Sequence, residues 1–372
     1  MGAAAPVWHR GNSKYLLAIN DHTLFMKHYL FYISENYSFK ILRPLQAEIK
    51  RRGDQVKWFV EGDHVNLNYF KADELRLTSI NEVVSYNPEA VFVPGNVVPS
   101  FIPGLKVQVF HGFIGGKKRK KDNQLYHLII RDCFDLYCTH GPSSTQPFQA
   151  LAQKHKHFDV VETGFCQMDP YFQKTTDSVT KKDRPIILFS STFSPKITKA
   201  PQLLTTIEQL SKNTPWQWQV TFHPKMDKKI VEAYKAIEHE NLSFIETDNL
   251  IPYMESADIM LADYSSMITD FILLNKPVVT FQNPDGLAHL INVDKESEIA
   301  PAIEYALTQP QEIMDKITQF ARITHPYRDG KSSARVLDAV ELKLAQPNSI
   351  KTKPLNLIRN LKLRKKLNYW RF

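Results

Sequence analysis

At 372 residues, with 43% hydrophobic and 11% aromatic content, the chain is long enough for two globular units of roughly 150–200 residues each. It has no apolar run of about 18 residues and no basic stretch leading into an apolar core near residue 1, which excludes a spanning helix and a secretory signal from the expectations. The three cysteines, Cys133, Cys138 and Cys166, are odd in number and form no C-x-x-C pair, so they read as reduced, buried, small apolar residues of a cytosolic protein.

The net charge of +8 has one address. Residues 351–372 carry Lys351, Lys353, Arg359, Lys362, Arg364, Lys365, Lys366 and Arg371 with no acid, which leaves the rest of the chain neutral. A basic stretch closing in Tyr369, Trp370 and Phe372 suits an anionic membrane surface. Nucleic acid could be held by the same charges, and a solvated tail is the plain alternative. A helical wheel does not separate apolar from basic positions cleanly, so charge carries this reading.

Residues 1–13 are set outside the fold reading. In chain order, residues 15–19 read as a strand, and Ile41, Leu42, Leu45 and Ile49 fall at helical spacing before Gly53. Residues 56–60, 90–93, 107–110 and 134–138 read as further strands, and their alternation with helices predicts a doubly wound parallel sheet. Near 170–184 a polar stretch ending in Pro185 reads as a hinge. A second alternating series follows: strands at 186–190, 217–222, 242–246, 259–262 and 278–281, with helices at 203–210, 230–237, 251–256 and 267–275. The expected domains are residues 14–170, 184–345 and a basic tail at 346–372.

Three loci carry chemistry. The strand ending at Phe110 leads into His111-Gly112-Phe113-Ile114-Gly115-Gly116 and then the basic run 117–121. A histidine at the carboxyl end of a parallel strand sits where such sheets bind ligands, and its pKa suits a general base; capping a loop is the plain alternative. A second strand ends in His223-Pro224-Lys225. The third locus is the strand–turn–helix at 259–275, where Asp263, Ser265 and Ser266 are helix-capping types able to gather hydroxyls and backbone N–H groups into a phosphate site. An ordinary capped helix is again the plain alternative. Two Rossmann-like halves facing one another across a cleft are the architecture of GT-B glycosyltransferases and their relatives.

From about residue 85 to 340 these motifs resemble, in order and spacing, the CDP-glycerol glycerophosphotransferases, which build teichoic-acid-like polymers on a GT-B scaffold. The resemblance rests on His111-Gly112, His223-Pro224, Asp263-Tyr264-Ser265-Ser266 with Asp270-Phe271 and Lys276-Pro277, and residues 325–330 with Ser333 and Arg335. It implies that CDP-glycerol or a related CDP-alditol is the donor, and that a lipid-linked or polymer hydroxyl attacks its β-phosphorus with CMP leaving. In that picture His111 is the base and His223 donates to the phosphoryl oxygen or the departing CMP. Ser265, Ser266 and Asp263 lie at the phosphates with Gly112, Lys225 and Arg328 contributing. No cofactor, no obligatory protein-held metal and no nucleic-acid partner are expected, and the enzyme would work on the inner face of the cell membrane.

The chain departs from the family pattern at several points. Phe113-Ile114-Gly115-Gly116 replaces T-P-L-K after H-G, Thr221 stands where an arginine precedes H-P, Thr192-Phe193-Ser194 stands for T-W-R, and residues 164–169 stand for G-x-P-R-x-D without its arginine. A nucleotide-sugar GT-B enzyme, and a non-catalytic basic protein binding membrane or nucleic acid, remain the competing readings.

Overall fold

The computed structural model describes residues 26–114, 125–173, 183–247, 249–346 and 352–370. The expected strand at 15–19, the basic run 117–121 and most of the expected hinge lie outside the described residues.

Two sheets organise the chain. The first contains β1 (His28–Ile33), β2 (Gln55–Val60), β3 (Arg76–Leu77), β4 (Ala90–Val93), β5 (Leu105–Gln108), β6 (Leu136–Thr139) and β7 (Asp159–Glu162). The second contains β8 (Ile186–Ser191), β9 (Gln217–Phe222), β10 (Leu242–Phe244), β11 (Ile259–Ala262), β12 (Val278–Phe281) and β13 (Ile291–Val293). Their orders, β3-β2-β1-β4-β5-β6-β7 and β10-β9-β8-β11-β12-β13, reverse direction between β1 and β4 and between β8 and β11, and every strand pairing is parallel. This is the doubly wound topology expected from the alternation, in two copies. The strands β4, β6, β8, β11 and β12 are buried throughout because helices cover both faces, which is why they read as short continuous apolar runs.

The connecting helices are α1 (Ser38–Arg51), α2 (Ile80–Tyr86), α3 (Pro142–His155), α4 (Asp169–Phe172), α5 (Ala200–Asn213), α6 (Lys228–Ala236), α7 (Ile251–Ser256), α8 (Met267–Leu273), α9 (Ile299–Leu307), α10 (Gln311–Thr324), α11 (Ser332–Ala345) and α12 (Leu357–Lys366). Helix α1 shows how pattern becomes packing. Phe39, Ile41, Leu42, Leu45 and Ile49 recur at helical spacing and are buried against Tyr29, Phe31 and Trp58.

The chain does not divide in space where it divides in sequence. Val336, Leu337, Ala339 and Val340 of α11 join the core of the first sheet, with Tyr29, Phe92 and Val107. Helix α11 therefore leaves the second half and packs on the first. Its start is capped by the buried Asp169 carboxylate, which accepts from the Ser332 and Ser333 backbone N–H groups at 2.7 Å each. Burial pushes the Asp169 carboxyl up, and these hydrogen bonds work against that shift. Gly330 sets the entry: its φ is +64°, and a Cβ there would lie 2.7 Å from Gln173 Cγ and 3.0 Å from the Asp169 carbonyl oxygen.

The basic stretch also docks on the first half. Tyr369 is buried and stacks on Phe101 at 4.8 Å, Lys366 pairs with Glu61 at 2.6 Å and Lys353 pairs with Asp135 at 2.6 Å. Residues 352–370 are thus a packed appendage rather than a solvated tail, and α12 orders apolar residues that the helical wheel left mixed. Leu357, Ile358 and Leu361, with Leu355 before them, are left exposed, while Leu363 faces inward. Among the described residues no helix is long and apolar enough to cross a membrane.

Replacing Asp169 with alanine removes two charge-assisted bonds from a buried helix start, and should cost about 2–3 kcal/mol in urea unfolding. A loss below about 0.5 kcal/mol, the range of an ordinary surface substitution, would show that α11 is held by its apolar face alone.

Candidate functional site

In the first half, β5 runs into Val109 and Phe110 and delivers His111 at the carboxyl edge of the sheet. Phe110 has φ +61°, an unfavourable value for a bulky residue, and is held there by packing against Tyr137, His140 and Phe148. His111 Nδ1 lies 3.1 Å from the Pro94 carbonyl oxygen. A carbonyl only accepts, so Nδ1 carries the proton and Nε2 presents its lone pair. Tyr37 stacks on the ring at 5.1 Å, and His127 lies at 5.9 Å. Burial, reinforced by the Arg131 charge, holds the imidazole pKa below its ordinary value against the pull of the Pro94 bond. Among the described residues nothing lies within 4 Å of where a Cβ on Gly112 would stand.

In the second half, β9 ends in the exposed His223. Its Nδ1 accepts from the Lys225 backbone N–H at 3.0 Å, which places the proton of the neutral ring on Nε2. The Phe193 ring lies against it, tilted by 32°, with centroids 4.5 Å apart. Partial burial, then the charges of Lys225 and Lys40, keep its pKa below the ordinary value. The two strand-end histidines are therefore held in opposite tautomers, one aiming a lone pair outward and the other an N–H.

Asp263 follows β11 at the switch point. Its buried carboxylate accepts from the Ser191 hydroxyl, the Thr192 and Lys199 backbone N–H groups at 2.8 Å each, and its neighbour Tyr264 N–H. The Asp263 carbonyl oxygen accepts from Asn283 Nδ2 at 2.7 Å. Asp263 thus ties together the loops after β8, β11 and β12, and its oxygens face backbone N–H groups rather than the cleft. Ser265 Oγ accepts from Met267 N–H at 3.2 Å, whereas Ser266 is exposed and makes no capping bond.

Between the halves stands the first turn of α1. Lys40 is exposed there, one turn from Tyr37, and its charge reaches both His223 and Asp270 of α8. Asp270 is buried and accepts from Gln167 Nε2 at 2.9 Å, joining α8 to the first half. Burial pushes its carboxyl up, and the Lys40 charge opposes this. The structure so brings the surroundings of His111 and His223 to one helix start. Sequence inspection did not find Lys40 or Tyr37: one lysine and one tyrosine at the start of an amphipathic helix carry no local signal.

Other expected residues fall elsewhere. Arg328 donates to the Leu273 carbonyl at 3.0 Å and lies over Phe172 at 5.0 Å, which puts it at the far end of α8 from Ser265 and Ser266. Lys276 donates to the carbonyls of Met254, Glu255 and Ala257 at the end of α7. His325 and His140 are buried in an aromatic cluster with Phe113 and Phe165, where burial lowers their pKa values to about 4 and about 3. Tyr327 bonds Glu162, and Asp329 pairs with Arg335. Residues 325–335 build the joint into α11.

Two doubly wound parallel sheets with their strand-end groups gathered between them define a GT-B-like α/β protein. Residues 114–285 match the sequence model of the family described as CDP-Glycerol:Poly(glycerophosphate) glycerophosphotransferase. The chain is 27% identical over 206 residues to the teichoic acid glycerol-phosphate primase of Bacillus subtilis (strain 168), covering 50% of this chain and 52% of that protein. It therefore spans about half the length of the curated relative it matches. Among solved structures, the wall teichoic acid polymerase TagF superposes with a TM-score of 0.60 at 14% identity, covering 86% of this chain and 89% of that one. The UDP-GlcNAc 2-epimerase of Neisseria meningitidis bound to UDP-GlcNAc superposes with a TM-score of 0.55 at 14% identity, covering 86% and 100%. At these identities the superpositions speak for the fold.

A ring with a lowered pKa is neutral over a wider range of pH. His111 should titrate below about 6.5 in long-range proton–nitrogen spectra, with its lone pair at Nε2. Arg131→Gln removes a charge that disfavours the imidazolium and should move that titration upward; an unchanged or lower value would remove Arg131 from the account of His111.

Proposed function

We propose that the protein transfers a glycerol phosphate, or a related alditol phosphate, from CDP-glycerol or a related CDP-alditol to an acceptor hydroxyl in the synthesis of a teichoic-acid-like surface polymer, releasing CMP. The observation that supports this reading is the pair of strand-end histidines, one in each half, fixed in opposite tautomers. The match of residues 114–285 to the glycerophosphotransferase family model supports the choice of substrate class.

The acceptor oxygen forms a bond to the donor's β-phosphorus while the bond from that phosphorus to the CMP oxygen breaks. His111 Nε2 takes the acceptor's proton. His223 Nε2–H donates to a phosphoryl oxygen or to the departing CMP. Such transfers are catalysed mainly by positioning and by neutralising charge that spreads over the phosphoryl oxygens. Ser265 and Ser266, at the positive end of α8, hold the diphosphate, with Asp263 positioning the loops around them. Lys225 and Lys40 bring positive charge to His223 in a chain lacking three of the family's arginines. Gly112 leaves room for the acceptor.

The appendage at 352–370 docks the enzyme on the inner leaflet. The exposed Ile358 and Leu361 stand at helical spacing with the exposed Lys362 and Lys365, so apolar contact and attraction to anionic headgroups, about 1 kcal/mol per basic residue, act on one face of α12.

Thermal stabilisation by a donor panel tests the chemistry without knowledge of the acceptor. A ligand at 100 times its dissociation constant stabilises by about 2.7 kcal/mol. CDP-glycerol should stabilise most, followed by CDP-ribitol and CMP; His223→Ala should weaken the effect while His111→Ala leaves it intact. Stabilisation by UDP- or GDP-sugars instead would move the protein to the sugar transferases, and silence towards every nucleotide would favour a non-catalytic binding protein.

Vesicle co-sedimentation tests the docking face. The full chain should bind phosphatidylglycerol vesicles and ignore phosphatidylcholine ones, and the exposed pair Ile358→Glu with Leu361→Glu should reduce binding at least tenfold with the melting temperature unchanged. Equal binding of the double variant would rule out this face.

A further inference from the structure

Away from the cleft, Asp132, His155 and His157 bring one ligand atom each to within 4.8 Å of the others. The cluster sits where the chain enters β6 and β7, at the amino-terminal edge of the first sheet and opposite His111. Three local features assemble it. His155 is the last residue of α3. Lys156 follows in the left-handed region at φ +62°, ending the helix and turning the chain so that His157 faces back. Asp132, also left-handed at φ +53°, enters from the segment before β6.

The distances fit a shared cation. His157 Nε2 lies 3.1 Å from Asp132 Oδ1, and His155 Nδ1 lies 3.6 Å from the same oxygen. Ligand atoms around a tetrahedral zinc ion, each about 2.0–2.1 Å from the metal, stand roughly 3.3 Å apart.

The hydrogen bonding of His157 points the same way. The residue is 3% exposed, and its Nδ1 lies 3.3 Å from the His155 carbonyl oxygen, which can only accept. Nδ1 therefore carries the proton, and this backbone bond orients the ring as the outer bond of a metal-bound histidine does. Nε2 is buried and lies 3.1 Å from the Asp132 carboxylate oxygen. With the neutral ring these are two acceptors facing one another, and a cation between them, a proton or a metal ion, is what makes the contact favourable.

We propose that Asp132, His155 and His157 hold a zinc ion, with water completing the tetrahedron. Two imidazole nitrogens and one carboxylate oxygen suit this borderline metal, and the ligands come from two separate connections. The ion fastens the segment entering β6 to the α3–β7 turn, so it braces the sheet that carries His111 at its other edge.

The test uses the full chain without a polyhistidine tag, stripped by chelator and dialysed, then titrated with zinc chloride. One equivalent should bind and raise the melting temperature, and cobalt(II) in its place should give the visible absorption of a tetrahedral site. His155→Ala, a partly exposed position, and Asp132→Asn, which keeps the shape and tolerates the left-handed backbone, should each weaken zinc binding at least tenfold, with the melting temperature of the metal-free protein near that of the parent. Absence of stoichiometric binding, or binding unchanged in both variants, would overturn the proposal.

Discussion

One buried carboxylate, Asp169, decides how the two halves stand. It closes the first half in sequence and accepts the first backbone N–H groups of α11, the helix that returns from the second half to pack on the first sheet. A helix start carries unpaired donors and partial positive charge, so an anionic acceptor sealed in the joint satisfies both. Around this point Gly330, Gln173, Tyr327 and Arg335 form the turn, and the Gln167 bond to Asp270 adds a second tie near the cleft. The relative placement of His111 and His223 follows from these ties.

Each histidine is set by backbone rather than by a partnering acid. His111 gives its Nδ1 proton to a carbonyl at the end of β4, and His223 accepts from an N–H two residues on. Backbone groups at strand ends are rigid, so they fix tautomers as firmly as a carboxylate would without adding charge. The left-handed Phe110 fits this pattern: packing on three aromatic rings holds a backbone value that aims His111 outward.

The residues that gave the most specific sequence signal serve architecture as much as chemistry. Asp263 knits three loops, Asp270 bridges the halves, Lys276 closes α7, and residues 325–335 form the joint. Among the carriers of the motif, Ser265 and Ser266 stand at the helix start, with Ser266 exposed.

The local physics of the sequence settled the elements: short apolar runs ending in polar turns made parallel strands, and the spacing of Ile41, Leu42, Leu45 and Ile49 made α1. It also placed both histidines at carboxyl strand ends, because a strand's direction and length fix where it stops. Strands β1, β3, β7 and β13 were missed: His28–Ile33 has no turn signal directly before it, and Arg76–Leu77, Asp159–Glu162 and Ile291–Val293 are too short or too mixed in polarity to stand out as apolar runs. The surroundings of Arg328, Asp263 and the basic stretch are set by partners far away in the chain: the Leu273 carbonyl, the loop at 191–199, and Phe101, Glu61 and Asp135. Charge and hydrogen-bonding capacity are written in a residue type. Which groups they meet, as Lys40 meets His223 and His155 meets Asp132, depends on how two sheets and a returning helix are packed, and only the tertiary structure decides that.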